Sequence, residues 1–261
     1  MSFMGLDIGT SGCKSLVISD SGEVLCRYSA SYNLIHNGQG RSELDPGEVW
    51  SALCTIIRRT ALDASNHGDP IRAIAPSILG EACIPVATDG RPLSLSTTSA
   101  DMRGTDDIQD FSKIFGAQRL FQITGQPCNP MFTLAKLLYW KHQEPNLFSK
   151  VWKFFCWEDF FFYKLCGQCV TDYSLASRML LFDLQQKKWS EEILKVAGIN
   201  PNLVSEIVPP GTIVGSVKSE INNQYHLNLP DHCVLVAGGW DQACAALGAG
   251  VIAEGKFLNN T

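Results

Sequence analysis

Two stretches near opposite ends of this chain concentrate residue types that can do chemistry. The first is Asp7-Ile8-Gly9-Thr10-Ser11-Gly12-Cys13-Lys14, which packs a carboxylate, two glycines, two hydroxyls and a lysine into eight positions. Gly9 and Gly12 let the backbone turn tightly and let a phosphate approach its N–H groups. Thr10 and Ser11 can donate to phosphate oxygens, and Lys14 can neutralise one. Asp7 can hold Mg²⁺, directly or through water. Nucleotide-dependent phosphoryl transfer needs this inventory. An ordinary hairpin also fits, because Gly-Thr-Ser-Gly is common turn chemistry. The P-loop pattern GxxxxGK[ST] is absent.

The second stretch is Gly238-Gly239-Trp240-Asp241-Gln242. It falls where a strand should give way to a helix, and α/β folds place ligands at such junctions. Asp241 would sit at the helix N-terminus, where the dipole favours its ionised form. An ionised carboxylate can take a proton from a substrate hydroxyl as that oxygen attacks a phosphoryl group. Gln242 can hydrogen-bond the same substrate. The plainer alternative makes Asp241 an N-cap after a glycine turn. Ala243, Ala245, Ala246, Gly248 and Gly250 then describe a slim helix able to pack closely. A third pattern, Cys166-Gly167-Gln168-Cys169, has CxxC spacing. A zinc site would want a second pair or a histidine cluster, and none is evident. Gly167 fits the position just past a helix end, so a structural turn is the preferred reading over a metal or redox site.

These residues need a scaffold, and the periodicities supply one. Residues 3–32 read as three strands, turning at the glycine-rich hairpin and again at Ser21-Gly22. Gly38 to Ser42 reads as a polar loop. Asp45-Pro46-Gly47-Glu48 opens a helix, with Asp at the N-cap, Pro at N1 and Glu at N3, and Val49, Trp50, Leu53, Ile56, Ile57 and Thr60 follow at helical spacing. Strands are expected at Ile71 to Ser77, Cys83 to Thr88, Val151 to Cys156, Ile213 to Val217 and Cys233 to Ala237. Helices are expected over 106–122, from Thr133 to His142, from Glu158 to Leu165, from Ser190 to Gly198 and from Asp241 to Ala249. The aromatic run inside the Glu158–Leu165 helix reads as core. The alternation indicates an α/β fold. Its three-strand opening, followed by helix and strand units, is the order of an actin-like, ribonuclease H-like ATPase domain: a mixed sheet opening on a meander and flanked by helices.

Composition sets outer limits. The chain has 261 residues, 45% of them hydrophobic, and a formal net charge of −5. That balance argues against nucleic acid or a membrane surface as a partner recognised through bulk charge. There is no 18-residue apolar run, and no basic n-region precedes the first strand, so a cytoplasmic setting is expected. Ten cysteines are scattered through apolar segments, which suits reduced, buried thiols.

Taken in order, the motifs resemble the N-terminal domain of the FGGY carbohydrate kinases, which include xylulokinase, gluconokinase and glycerol kinase. Gly5-Leu6-Asp7-Ile8-Gly9-Thr10-Ser11 resembles the family's first phosphate motif. Glu43-Leu44-Asp45-Pro46 with Val49-Trp50, Ala100-Asp101-Met102-Arg103, Pro130 to Leu137, Thr171 to Ser177 and Gly238 to Gln242 continue the match across essentially the whole chain. The resemblance implies ATP-dependent phosphorylation of a hydroxyl on a sugar, or on a sugar-derived polyol or acid. It makes Asp241 the general base, assigns Asp7 to Mg²⁺–ATP, and puts Gly9, Thr10, Ser11 and Lys14 near the transferred phosphate. Gln242 and Glu81 would contact the sugar, Asp101 and Arg103 would border its pocket, and Thr171 to Ser177 is a weaker candidate for a pocket wall, with a structural role the preferred reading. The family's second domain supplies most adenine and ribose contacts. Residues 1–255 are therefore expected to be the sugar-binding, base-bearing domain, and residues 256–261 the start of a connection to a C-terminal nucleotide-binding domain. The chain would then be half an enzyme and a poor kinase alone. A homodimer is among the partners considered; the sugar and the oligomeric state stay open.

Two departures bear on the substrate. Xylulokinases carry a Met-His pair near position 80 and glycerol kinases an Arg-Glu pair, whereas this chain has Leu79-Gly80-Glu81. Trp240 is bulkier than the small residue many members place before the base. The rival reading is a non-catalytic sugar-binding or regulatory module that kept the fold and lost the nucleotide.

Overall fold

In the computed structural model, residues 2–38 and 40–259 are described. Strands β1 (Ser2–Ile8), β2 (Gly12–Ser19) and β3 (Val24–Ser31) form the expected antiparallel meander. Alternation drives it: β1 buries Met4, Leu6 and Ile8, and β2 buries Cys13 and Val17, while their neighbours face outward. The long helix Pro46–Asn66 carries the chain over to β4 (Ile71–Ile78), which pairs parallel with β1. Asp45 caps that helix, accepting from the Gly47 N–H at 2.7 Å. Glu48 does not close a capping box; it accepts instead from the backbone and side-chain N–H groups of Asn33.

Three late strands complete the sheet. β5 (Ile213–Ser216) pairs antiparallel with β6 (Val234–Val236), and β6 pairs parallel with β4. Gly238 interrupts the chain, and β7 (Gly239–Trp240) resumes parallel pairing with β4 further along. The order is β5-β6-β4-β1-β2-β3, with β7 also on β4. One core lies between this sheet, the Pro46–Asn66 helix and the aromatic helix Trp157–Cys166, whose Phe160, Phe161 and Phe162 are all buried as expected. A second core gathers Leu134, Leu137 and Leu138 with Ile108, Phe111, Leu120, Ile193 and Leu194.

Some expectations need correction. The single helix over 106–122 is two, Thr105–Phe115 and Ala117–Thr124, broken at Gly116, whose φ of 92° lies outside helical space. The strands near Cys83 and Val151 shrink to Ile84–Val86 and Lys153–Phe155, which pair with each other outside the main sheet. The polar loop at Gly38 to Ser42, of which Gln39 lies outside the described residues, connects two short strands, Leu34–Ile35 and Glu43–Leu44. Gly167 takes the left-handed position after the Trp157–Cys166 helix, as its placement in CxxC implied. All ten cysteines are free thiols. Among the described residues, no group of three or more His, Cys, Asp or Glu side chains is arranged to hold a metal, and no helix is long and apolar enough to cross a membrane.

Candidate active site

Register brings the two chemical stretches together. Asp7 on β1 stands beside Ser77 on β4, and Ser77 stands beside Gly239 on β7. The hairpin and the Gly238–Gln242 junction therefore meet at the same carboxyl ends of parallel strands. On the other side of β1, Asp7 faces Lys14 across the antiparallel pair.

The hairpin is tight and pinned. Gly9 N–H donates to the Gly12 carbonyl at 3.0 Å, closing the turn around Thr10 and Ser11. Gly12 is required by close approach: a Cβ there would lie 2.6 Å from the Ala30 carbonyl oxygen of β3. Tyr32, which sequence reasoning missed, donates its hydroxyl to the Gly9 carbonyl at 2.6 Å. Ser11 and Lys14 are exposed and Thr10 is half-buried, so their polar groups are not committed to the core. Ser77, also missed, donates to Asp7 Oδ1 at 3.1 Å. That bond leaves Asp7 Oδ2 for a ligand. One carboxylate oxygen beside hydroxyls and turn amides fits a Mg²⁺ ion that takes its remaining ligands from phosphates and water.

The junction is built with equal constraint. A Cβ at Gly238 would fall 1.7 Å from the Pro76 carbonyl oxygen, so only glycine lets the strand approach β4 there. Gly238 N–H donates to Glu158 Oε1 at 2.9 Å, and Asp172 N–H donates to Glu158 Oε2 at 2.8 Å. Glu158 is fully buried, and burial pushes its carboxyl well above the ordinary range, with the Asp172 charge adding to it. Ser174 Oγ donates to Asp172 Oδ1 at 3.0 Å and accepts from Trp240 N–H at 2.8 Å. The Thr171–Ser177 segment thus buttresses the junction. Sequence reasoning treated the Glu158 helix as aromatic core; the available signal was Glu158-Asp159, two acids at the head of an otherwise apolar helix.

Asp241 is the first residue of the helix Asp241–Gly248, and Trp240 occupies the N-cap position, so the capping alternative does not describe it. Its Oδ1 accepts from Gln242 N–H at 2.7 Å. Burial raises its pKa above the usual carboxylate value; the Gln242 N–H opposes this, the Asp7 charge reinforces it, and Arg178 offsets part of it. The Gln242 N–H at the helix terminus favours the ionised form, and burial outweighs it in the direction of the shift. The slim helix also meets little: Ala243, Ala245, Leu247 and Gly248 are exposed, because no described element of this chain covers that side.

Glu81 belongs to the same region. It holds a left-handed backbone, φ 60°, which a side-chain-bearing residue rarely adopts. Its Oε1 accepts from Arg178 Nε and also pairs with Nη2. Arg178, unassigned from sequence, lies over the Trp240 ring at 4.3 Å and over Phe132 at 4.8 Å. Gly80 leaves room for the indole: a Cβ there would be 2.7 Å from Trp240 Nε1. Asp101 and Arg103 are placed differently. They form a buried cluster with Glu43, in which Arg103 Nε donates to Asp101 Oδ1 at 2.8 Å and Nη2 donates to Asp101 Oδ2 at 2.9 Å while also pairing with Glu43. Their side chains are spent on each other. Lys136 lies between this cluster and Glu81; burial lowers its pKa to about 8, with Asp101 and Glu81 pulling it up.

A cleft of about 1040 Å³ runs from Asp7, Lys14 and Ser77 past Gly238 to Leu247.

A glycine-rich hairpin and a carboxylate-bearing strand–helix junction, meeting at one end of a mixed sheet, define a domain of actin-like fold. The chain belongs to the FGGY family of carbohydrate kinases: the model of that family's N-terminal domain matches residues 2–248. It is similar to the xylulose kinase of Staphylococcus xylosus, 31% identical over 255 residues that make up 98% of this chain and 52% of that protein. It is 29% identical to the gluconokinase of Bacillus licheniformis, covering 97% of this chain and 49% of that one. Among solved structures it superposes on a ligand-bound xylulose kinase from Lactobacillus acidophilus with a TM-score of 0.89 at 25% identity, covering 95% of this chain and 50% of the other. The gluconate kinase of the same organism gives 0.86 at 26% identity, covering 92% of this chain and 48% of that one. The chain spans about half the length of the curated relatives it matches.

Proposed function

We propose that this chain is the sugar-binding, base-bearing half of an ATP-dependent sugar or polyol kinase. The observation that carries the reading is the register Asp7–Ser77–Gly239. It sets the phosphate hairpin two strands from the junction that bears Asp241, about 10 Å across the sheet. A hydroxyl and a γ-phosphoryl group fit within that span.

In this reading Asp241 accepts the hydroxyl proton as the substrate oxygen attacks phosphorus, and Gln242 holds the same substrate. The raised pKa of Asp241 makes it a stronger base than a solvated aspartate. Gly9 to Gly12 turn the hairpin, while Thr10, Ser11 and Lys14 steady phosphate oxygens. Asp7, held through one oxygen by Ser77, presents the other toward Mg²⁺. Mg²⁺, when bound with ATP, neutralises charge that builds on the transferred phosphoryl group. A second domain, beyond what this chain contains, would hold adenine and ribose and close over the site to exclude water.

The test is ADP release by the intact kinase across a panel of sugars and polyols, with Asp241→Asn alongside. Near-normal turnover in Asp241→Asn would remove the base assignment. A non-catalytic module would bind sugar in the same panel and release no ADP.

A further inference from the structure

One short segment grips both the backbone and the side chain of the residue that leads into Asp241. The helix Tyr173–Ser177 ends at Arg178. From its first turn, Ser174 Oγ accepts the Trp240 N–H at 2.8 Å. From its end, the Arg178 guanidinium lies over the Trp240 ring at 4.3 Å. We infer that Arg178 is a positioning residue for the reaction: held by Glu81, it clamps the Trp240 indole and so fixes where Asp241 points. The inference rests on the reading of Asp241 as the base of a sugar kinase.

The guanidinium is itself held in place. Glu81 Oε1 takes its Nε and Nη2, Phe132 packs on it at 4.8 Å, and the side chain is only 11% exposed. Glu81 is buried in turn, on a left-handed backbone. Trp240 occupies the N-cap of the Asp241–Gly248 helix and makes no side-chain cap bond. An indole donates and does not accept, so the start of this helix is steadied by the grip on Trp240 instead of by a capping oxygen. An arginine suits that grip, because one planar group can stack on an aromatic ring and fork onto a carboxylate. Gly80 leaves the room: a Cβ there would lie 2.7 Å from Trp240 Nε1 and 3.5 Å from Arg178 Cγ. The cation also bears on the base directly. Asp241 faces Asp7 from β1, Arg178 from beyond the Tyr173–Ser177 helix, and Gln242 N–H and Cys244 on its own helix, while Glu81 lies near enough to feel its charge. Arg178 is the cation of that group and favours the ionised base; without it, burial and the neighbouring carboxylates hold the proton on.

The test is steady-state ADP release by the intact kinase, on the acceptor it turns over fastest among D-xylulose, D-gluconate, glycerol, ribitol and xylitol. The variants are Arg178→Met, Arg178→Lys, Trp240→Leu, the Arg178→Met/Trp240→Leu double and Asp241→Asn. Arg178→Met is expected to lower kcat about 10- to 100-fold, the scale of a misplaced catalytic group, with KM for MgATP within about threefold of wild type. Its acidic limb should move to higher pH. Arg178→Lys should restore the limb but only part of kcat, since the charge returns without the planar fork. The double variant should lose no more than about threefold beyond the worse single one, because both break one contact. Wild-type kcat in Arg178→Met, or losses that multiply in the double variant, overturn the inference and leave the base reading standing. So does a loss confined to KM for the acceptor, which would make Arg178 a substrate contact through Nη1, the nitrogen without a partner among the described residues. If Arg178→Met strands Glu81 and fails to fold, Arg178→Lys and Trp240→Leu decide: unaltered kcat in either overturns the clamp. Near-normal turnover in Asp241→Asn, or no ADP from wild type with any acceptor, removes the base reading and the inference with it.

Discussion

Ser77 donates to Asp7 across the β1–β4 boundary, Oγ to Oδ1 at 3.1 Å, while its own backbone stands in register with Gly239 on β7. One serine therefore ties the hairpin carboxylate to the junction that carries Asp241, although more than 200 residues separate the two in sequence. Ser77→Ala should leave the fold intact and free Asp7 to rotate. In the intact kinase, KM for MgATP is expected to rise about two- to tenfold, because Asp7 keeps its charge and loses only its orientation, a fraction of the about 1.5–3 kcal/mol that a hydrogen bond to a charged group is worth. An unchanged KM would mean that Ser77 does not orient Asp7.

Asp241→Asn removes the acceptor for the substrate proton while keeping size and the contact with Gln242 N–H. Turnover is expected to fall by about 10²–10⁴ with sugar affinity within a few-fold of wild type. Because burial and Asp7 both raise the Asp241 pKa, the acidic limb of the rate profile should lie above the pH at which a solvated aspartate ionises. Asp7→Asn should move that limb toward lower pH, since it takes away one of the charges that raise it.

Gly80→Ala tests the wall of the pocket. The new methyl would lie 2.7 Å from Trp240 Nε1 and 2.9 Å from its Cδ1. The indole has to move, and with it the residue preceding Asp241. Circular dichroism in the far ultraviolet should be unchanged, near-ultraviolet signals from tryptophan should shift, and turnover should drop about tenfold or more. Retained turnover with a shifted indole would separate Trp240 from the placement of Asp241.

Local signals made much of this legible. Strand alternation, the Asp45-Pro46 cap and the glycine ends at 167 and 198 each state their structure within a few residues, and each appears. The turn at Gly9 to Gly12 and the strand break at Gly238 were legible too, because glycines mark such points without a distant partner. What stayed hidden depends on partners distant in sequence. Arg178 acquires meaning only beside Glu81 and Trp240, and Glu158 only beside Gly238 and Asp172. Asp101 and Arg103 show the converse: a motif that suggested a pocket rim forms an ion cluster completed by Glu43, sixty positions from Arg103. The break at Gly116 was in principle visible, but amphipathic spacing on both sides masks a glycine between two helices.

The buried acids behind the junction give a stability prediction with a definite sign. Asp159 is buried, accepts from Ser205 Oγ at 2.6 Å through Oδ2, and has no partner for Oδ1 among the described residues. Burial pushes its pKa from 3.8 up to about 7, against the bonds from Cys156 and Ser205 that pull it down. Glu158 is displaced in the same direction. A raised native pKa means that the folded state binds the proton more tightly than the unfolded chain. For Asp159, stability should therefore fall as pH rises from about 4 to about 7, and stay level above that window. Asp159→Asn keeps an acceptor for Ser205 and removes the charge. At pH 8 it is expected to be more stable than the wild type by about 1–3 kcal/mol, the cost of a buried group left imperfectly bonded. At pH 4 the difference should nearly vanish. Urea midpoints followed by circular dichroism at both pH values decide it: a variant whose midpoint tracks the wild type in parallel would show that Asp159 stays charged in the folded chain.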